Sequence, residues 1–319
     1  MRVLVIGAGA VGAYFGARLL EAGVDVTFLV RANRAAQLRQ GLSVRSPLGD
    51  IRIEAPPTVA ADKVGKDYGL ILLSCKAYDL AGAIDSFAPA VAPDTAIVPV
   101  LNGMRHLDEL AQRFGTRPVL GGQCQISATL AADGSVLHLN ETHQLSFGEM
   151  DNPRSDRALA IEALLSRAKF ESRRSDAILQ EMWEKWVFIA ALAGSTCLMR
   201  APVGDIVRAA GGDLGRGILR ECAAIATAHG FSPRPQFLAR MDAVLTDASS
   251  TLAASMLRDI ERGARTEAEH VVGDLLARRR RADDRSDDES PHLSLLALAY
   301  AHLKAYELRR SAMPGSSGR

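Results

Sequence analysis

An apolar run, Val3-Leu4-Val5-Ile6, passes directly into Gly7-Ala8-Gly9-Ala10-Val11-Gly12, and an alanine- and leucine-rich stretch continues to Gly23. Nothing else in the chain restricts its fold as much. Uninterrupted apolar residues read as a strand buried on both faces. A G-x-G-x-x-G spacing at the end of such a strand turns the chain into a helix. Residues 25–31 (DVTFLVR) read as a second strand. Strand, helix and strand in so short a span make a βαβ unit, which implies a parallel sheet.

Each glycine has a physical reason in that setting. Gly7 permits the tight turn, Gly9 lets backbone approach a pyrophosphate, and Gly12 lets helix and strand pack closely. Ala10 and Val11 open the helix, whose first N–H groups and dipole suit phosphate. The five residues Gly7, Gly9, Ala10, Val11 and Gly12 are therefore candidate cofactor-binding positions; the alternative is a glycine-rich turn without ligand. The end of the second strand bears on which dinucleotide. A carboxylate there would hold a ribose 2′-hydroxyl. This chain has Leu29-Val30-Arg31-Ala32-Asn33-Arg34 instead. Arg31 and Arg34 suit a 2′-phosphate, which a guanidinium grips in a charge-assisted fork, so NADP(H) is the expected cofactor. Two solubilising surface arginines are the plainer reading.

Further strands are expected at 69–74, 96–100, 118–121 and 170–174, a hairpin-type pair over 135–148 and a helix near 154–168. After Ser175-Asp176 the chain reads as helices at 177–200, 203–209, 213–230, 234–246, 251–258, 264–280 and 292–310. The expected fold class is α/β. An N-terminal Rossmann-type, doubly wound parallel sheet fills residues 1–175, an all-helical substrate domain 176–310, and a disordered tail 311–319. Residues 278–290 (RRRRADDRSDDES) read as a solvated mobile loop, because the acids cancel the arginines.

A net charge of +1 and a pI near 7.8 point away from nucleic acid and anionic membrane as partners. Cys75, Cys124, Cys197 and Cys222 are scattered, with no metal-ligand spacing, so no metal is expected. No apolar stretch reaches membrane-spanning length, and the opening apolar run is too short for a signal peptide. A cytoplasmic protein with reduced thiols is the expectation.

The blocks GAGAVGAYFGARL, the arginines after the second strand, SCKAYDL, LNGM, EKW, SMLRDI followed by RTEAEH, and HLKAYE come in an order that resembles the ketopantoate reductase family (2-dehydropantoate 2-reductases) over most of the chain. The resemblance implies NADPH-dependent reduction of a 2-oxo acid, with the active site in a cleft between a Rossmann domain and a helical domain. It implies Lys185 as the proton donor to the carbonyl oxygen and Glu267 as the carboxylate that orders the lysine and contacts a substrate hydroxyl. Asn102 would touch substrate or nicotinamide, Lys76 the reactive end of the cofactor, and Ser255 the substrate carboxylate. The corresponding plain readings are a surface pair of Lys185 with Glu181, an Asn-Gly turn, a surface lysine, a helix-surface hydroxyl and a solvated helix charge.

The chain departs from the family pattern at three polar positions. Ile189 and Ala193 stand where asparagines commonly follow the lysine by four and eight residues, and Ala254 stands for a serine. The candidate partners are a small 2-oxo acid, with 2-dehydropantoate first, and a second copy of the chain. A less polar 2-oxo acid, or a non-catalytic NADP-binding regulatory protein of this fold, is the alternative. His138, His143, His229 and His270 lack an evident carboxylate partner at informative spacing, Glu267 with His270 being the one conceivable pair, and Ser195-Thr196 lacks a nucleophile elbow.

Overall fold

The computed structural model describes residues 1–151, 154–283 and 294–312. Unbroken apolar tetrads form the centre of the first unit. β1 (Val3–Ile6), β2 (Val26–Leu29), β6 (Leu70–Leu73) and β7 (Ala96–Pro99) are buried at every position. With β5 (Thr58–Val59) they make a parallel sheet in the order β5-β2-β1-β6-β7. Burial of both alternating side-chain sets marks a sheet covered on both faces. The intervening helices are α1 (Ala10–Glu21), α2 (Ala32–Leu38), α3 (Leu80–Phe87) and α4 (Arg105–Phe114).

A second sheet was legible only in part: the strand expected at 170–174 is present as Glu171–Arg174, and the stretch 135–148 is extended over Val136–Gly148. The sheet has the order β10-β9-β3-β4, with β8 also paired to β9. Its members are β3 (Leu42–Arg45), β4 (Ile51–Ile53), β8 (Gly121–Leu130), β9 (Val136–Gly148) and β10 (Glu171–Arg174), with α5 (Asp156–Leu165) before the last. The hairpin expected within 135–148 lies further upstream. That stretch is the single strand β9, which pairs antiparallel with β8 from Gly121↔Gly148 to Leu130↔Val136. Gly134 does not precede the hairpin but sits in its turn, at φ +81°. There the Asp133 carboxylate accepts from both the N–H and the hydroxyl of Ser135. Of the strand expected at 118–121, Val119 makes one bridge to Ile97 before β8 begins.

The second unit has only helical elements among its described residues: α6 (Ile178–Met199), α7 (Val203–Ala210), α8 (Asp213–Ala228), α9 (Pro235–Leu245), α10 (Ser255–Glu261), α11 (Asp274–Asp283) and α12 (Leu295–Ser311). A π-helical turn, Glu269–Gly273, precedes α11. Residues 251–254 and 264–267, expected to be helical, have no regular secondary structure. By internal contacts the first unit is Met1–Leu101 with His106–Ile178, and the second is Asn102–Arg105 with Leu179–Arg319.

Tryptophan anchors α6. Trp183 stacks on His229 and Phe231 with centroids 5.5 Å away, and its ring lies 5.0 Å from that of Trp186. The Arg278 guanidinium lies 5.7 Å and 5.4 Å from the two indole rings and pairs with Asp274. This corrects the reading of 278–290 as a solvated loop at its start: α11 continues through Asp283, and Arg278 is half-buried against aromatic rings, which attract a cation. The rest of that charge run lies outside the described residues. So does 313–319 of the expected disordered tail, while Ser311 still belongs to α12. Ser195 and Thr196 donate to carbonyls one turn back in α6, as packed helix hydroxyls do. Among the described residues no single helix is long and apolar enough to cross a membrane.

Candidate active site

The glycine loop of the first unit has the shape its sequence implies. Gly7 adopts φ +86°, a region that costs other residues strain. A Cβ on Gly12 would lie 2.1 Å from both the Gly7 carbonyl oxygen and Ser74 Oγ, so only glycine fits there. A Cβ on Gly9 would meet nothing within 4 Å. Gly9 is the N-cap of α1; it offers no side-chain acceptor, and the first turn holds no acid. The helix end therefore combines open space at Gly9 with a favourable dipole, which suits a dinucleotide's phosphates. Ser74, at the end of β6, donates to the carbonyls of Ile6 and Gly7 at 2.9 and 3.0 Å and holds the loop in place. Sequence reasoning passed over Ser74, although it opens the SCKAYDL block.

The two arginines after β2 have different surroundings. Arg31 is mostly exposed and pairs with Asp79 at 2.9 Å. Arg34 is half-buried: its Nε donates to the Ala8 carbonyl within the glycine loop, and Nη1 donates to Gln37 Oε1 and the Gly134 carbonyl. Burial lowers the pKa of this guanidinium from its ordinary value. Lys76 is exposed and caps a short 3-10 turn, Ala77–Asp79.

In the second unit, Glu267 and the chain neighbours of Lys185 and Asn102, namely Trp186 and Gly103, meet one structural feature, the turn Glu269–Gly273. Lys185 is half-buried on α6 beside Trp186, whose Nε1–H donates to the Val271 carbonyl at 2.8 Å. The Glu267 carbonyl accepts from the N–H groups of His270 and Val271, which fixes this residue at the start of the turn. Gly103, next to Asn102, adopts φ +80°, and a Cβ there would lie 2.8 Å from the His270 carbonyl oxygen. The Asn-Gly pair is thus a close backbone contact against the same turn. Trp186 and Gly103 were not singled out from the sequence, though each adjoins a residue that was.

The opposite flank of the turn is tied to α12. The Tyr300 hydroxyl donates to Glu269 at 2.5 Å, and Lys304 bridges Glu269 and Glu307. Thr266 donates to Glu307, and the Tyr306 hydroxyl donates to the Ala264 carbonyl. Hydrogen bonds from Tyr300 and Lys304 keep the Glu269 carboxyl below the usual glutamate range, and burial with the Glu269 contact pushes the Tyr300 phenol up to about 12. The HLKAYE block therefore supports the segment that carries Glu267.

Ser255 is exposed and begins α10 immediately after Ala254, whose backbone is extended. Ile189 is half-buried and Ala193 buried on α6, and the backbone of buried Ala254 donates to Thr196 Oγ1. Among the described residues no three His, Cys, Asp or Glu side chains gather to hold an ion. The cysteines are thiols; burial pushes the Cys197 thiol up to about 12 and the Cys222 thiol up as well.

Comparison with known proteins gives this arrangement a family. Residues 3–152 match the model "Ketopantoate reductase PanE/ApbA", and residues 177–284 match its C-terminal counterpart. An uncharacterized oxidoreductase, YkpB, of Bacillus subtilis is 35% identical over 312 residues, covering 97% of this chain and all of its own. A 2-dehydropantoate 2-reductase of Archaeoglobus fulgidus is 30% identical over 277 residues, 86% of this chain and 90% of the relative. The crystal structure of 2-dehydropantoate 2-reductase from Methylococcus capsulatus superposes with a TM-score of 0.83 at 28% identity, covering 98% and 99% of the two chains. The chain belongs to the ketopantoate reductase family and is an oxidoreductase acting on CH–OH groups.

Proposed function

We propose that the protein reduces a small 2-oxo acid to the 2-hydroxy acid with NADPH, and that Lys185 is the proton donor. The observation that carries this reading is that Glu267, and the residues directly following Asn102 and Lys185 in the chain, all contact the turn Glu269–Gly273. Three polar residue types suited to a carbonyl substrate are thus linked, directly or through the next residue, to one element of one unit. A nicotinamide, when bound, supplies the hydride. Gly9 and the open end of α1 would hold its pyrophosphate, and Arg31 the 2′-phosphate. Lys76 and Asn102 are proposed to contact the cofactor at its reactive end.

Lys185 would stabilise the developing alkoxide through its charge and deliver a proton to it. Glu267 would hold the ammonium in place and accept from a substrate hydroxyl. Ser255 would donate to the substrate carboxylate. The apolar positions Ile189, Ala193 and Ala254 favour a second reading of the substrate, namely a 2-oxo acid less polar than 2-dehydropantoate.

The test is a panel of 2-oxo acids, including 2-dehydropantoate and 3-methyl-2-oxobutanoate, with NADPH oxidation followed by absorbance. At least one acid should be reduced, and Lys185→Ala should lower kcat by roughly 10²–10⁴ for every acid that is. Binding of NADPH without turnover of any acid would favour a non-catalytic role.

A further inference from the structure

We propose that the turn Glu269–Gly273 is the device that sets the active-site geometry, and that Trp186 is its positioning residue. The inference rests on the reading of Asn102, Lys185 and Glu267 as the working residues, and adds what aligns them. A π-helical turn inserts an extra residue into the helical path, so carbonyls in it lose their regular partners. The indole N–H of Trp186, a side chain that is 1% exposed, donates to a carbonyl within the turn, that of Val271. Both groups are shut away from water, so this bond has no solvent substitute.

The connections converge from three sides. Trp186 follows Lys185 directly in α6, so the bond to Val271 fixes the turn relative to the lysine-bearing helix. The Val271 N–H returns to the Glu267 carbonyl at 2.9 Å, so the same residue that receives the indole also holds Glu267. Gly103 seats the Asn102 loop against the His270 carbonyl, where any side chain would collide. Gly273, at the turn's other end, has no room for a Cβ either: Tyr300 would lie 2.8 Å from it. A turn gripped at His270, Val271 and Gly273 cannot shift without moving Glu267 and the Asn102 loop relative to Lys185. Reacting groups displaced by about 1 Å can lose around a hundredfold in rate.

Two tryptophan variants separate positioning from packing. Trp186→Phe keeps most of the ring and removes the N–H. Trp183→Phe, one turn earlier on α6, truncates a ring equally buried among His229, Phe231 and Arg278. Both should lower Tm. Only Trp186→Phe should speed amide hydrogen exchange across residues 269–275, and only it should lower kcat, by roughly ten- to a hundredfold, with the KM for NADPH unchanged. The acid used is whichever of 2-dehydropantoate and 3-methyl-2-oxobutanoate the wild-type protein reduces faster. Equal kcat for the two variants, or unchanged exchange at 269–275 in Trp186→Phe, would overturn the inference. Lys185→Ala run alongside keeps the two ideas apart. If it retains full kcat, the assignment of the site fails; if it is inactive while Trp186→Phe is normal, only the positioning role fails.

Discussion

Arg31 pairs with Asp79 2.9 Å away while most of its side chain stays in solvent; Arg34, three residues on, is half-buried and donates to two backbone carbonyls. The sequence placed both at the end of the second strand and assigned both to a phosphate. It could not show the division between them, because Ala8, Asp79 and Gly134 reach these arginines only through the fold. Removing Arg34 would leave the Ala8 and Gly134 carbonyls short of a donor, so its loss would mix structural and binding effects. Arg31 is the clean probe. Its bond to Asp79 is exposed and contributes little to stability, so Arg31→Ala should melt like the wild type. Charge-assisted contacts to a 2′-phosphate are worth about 1.5–3 kcal/mol, so NADPH affinity should fall roughly ten- to a hundredfold while NADH affinity holds. Titration with both cofactors by intrinsic fluorescence gives the comparison, and parallel losses would mean that Arg31 does not read the phosphate.

At the scale of elements, legibility followed length and patterning. β1, α1 and β2 were read because four-residue apolar runs and a glycine spacing are unambiguous, and α6 because twenty-two residues carry a helical pattern. Of the second sheet only β10 and the stretch of β9 were read, because β3 and β4 are four and three residues long with mixed burial, and β8 alternates small and polar residues. The turn Glu269–Gly273 was invisible for a different reason: EHVVG has nothing in its residue types that demands a π-helical conformation, which depends on Trp186, Gly103 and Tyr300 from distant parts of the chain. The site's residue types could be named from the chain, but their alignment could not.

The α6 helix also changes how substrate choice should be probed. Ile189 and Ala193 follow Lys185 at intervals that keep them on its face. Ala193 is 3% exposed, so an asparagine there would bury an amide at a cost of about 1–3 kcal/mol unless it found a partner. Ile189 is half-buried and can take a polar group. Ile189→Asn alone should therefore raise the kcat/KM ratio of 2-dehydropantoate over 3-methyl-2-oxobutanoate, which lacks the hydroxymethyl group, by roughly tenfold. A ratio that stays fixed would place the hydroxyl's recognition away from this face.

For the whole molecule, the buried titratable groups agree on how stability should change with pH. The Tyr14 hydroxyl accepts from Arg18 Nε and shares a 2.7 Å hydrogen bond with His143 Nδ1, whose direction is set by the ring's tautomer. Burial, with Arg18 and His138 close by, holds the His143 pKa below its ordinary value despite Glu171. When the folded value lies below the unfolded one, protons favour the unfolded chain, so stability is full above about pH 6.5 and declines as pH falls from there toward the folded value. Glu149 and Glu184 follow the same direction at lower pH. Burial pushes each carboxyl up, but Arg157 and Ser155 on the first, and Arg234 with Gln180 on the second, bring both below the ordinary glutamate value. Their stabilisation is present above about pH 4.5 and is lost as pH falls through the folded values. Melting curves between pH 8 and 3 should thus show a level region, a shallow decline beginning near pH 6.5, and a steeper one below the glutamate range. His143→Gln keeps a hydrogen-bonding partner for Tyr14 without a titrating ring, so it should flatten the shallow decline and leave the steep one. Glu184→Gln should lower Tm at neutral pH, by stripping the charge from the pair with Arg234, and weaken the steep decline alone. A shallow decline that survives His143→Gln would assign that proton uptake to another group, and the Tyr14–His143 bond would then have no part in the protein's acid sensitivity.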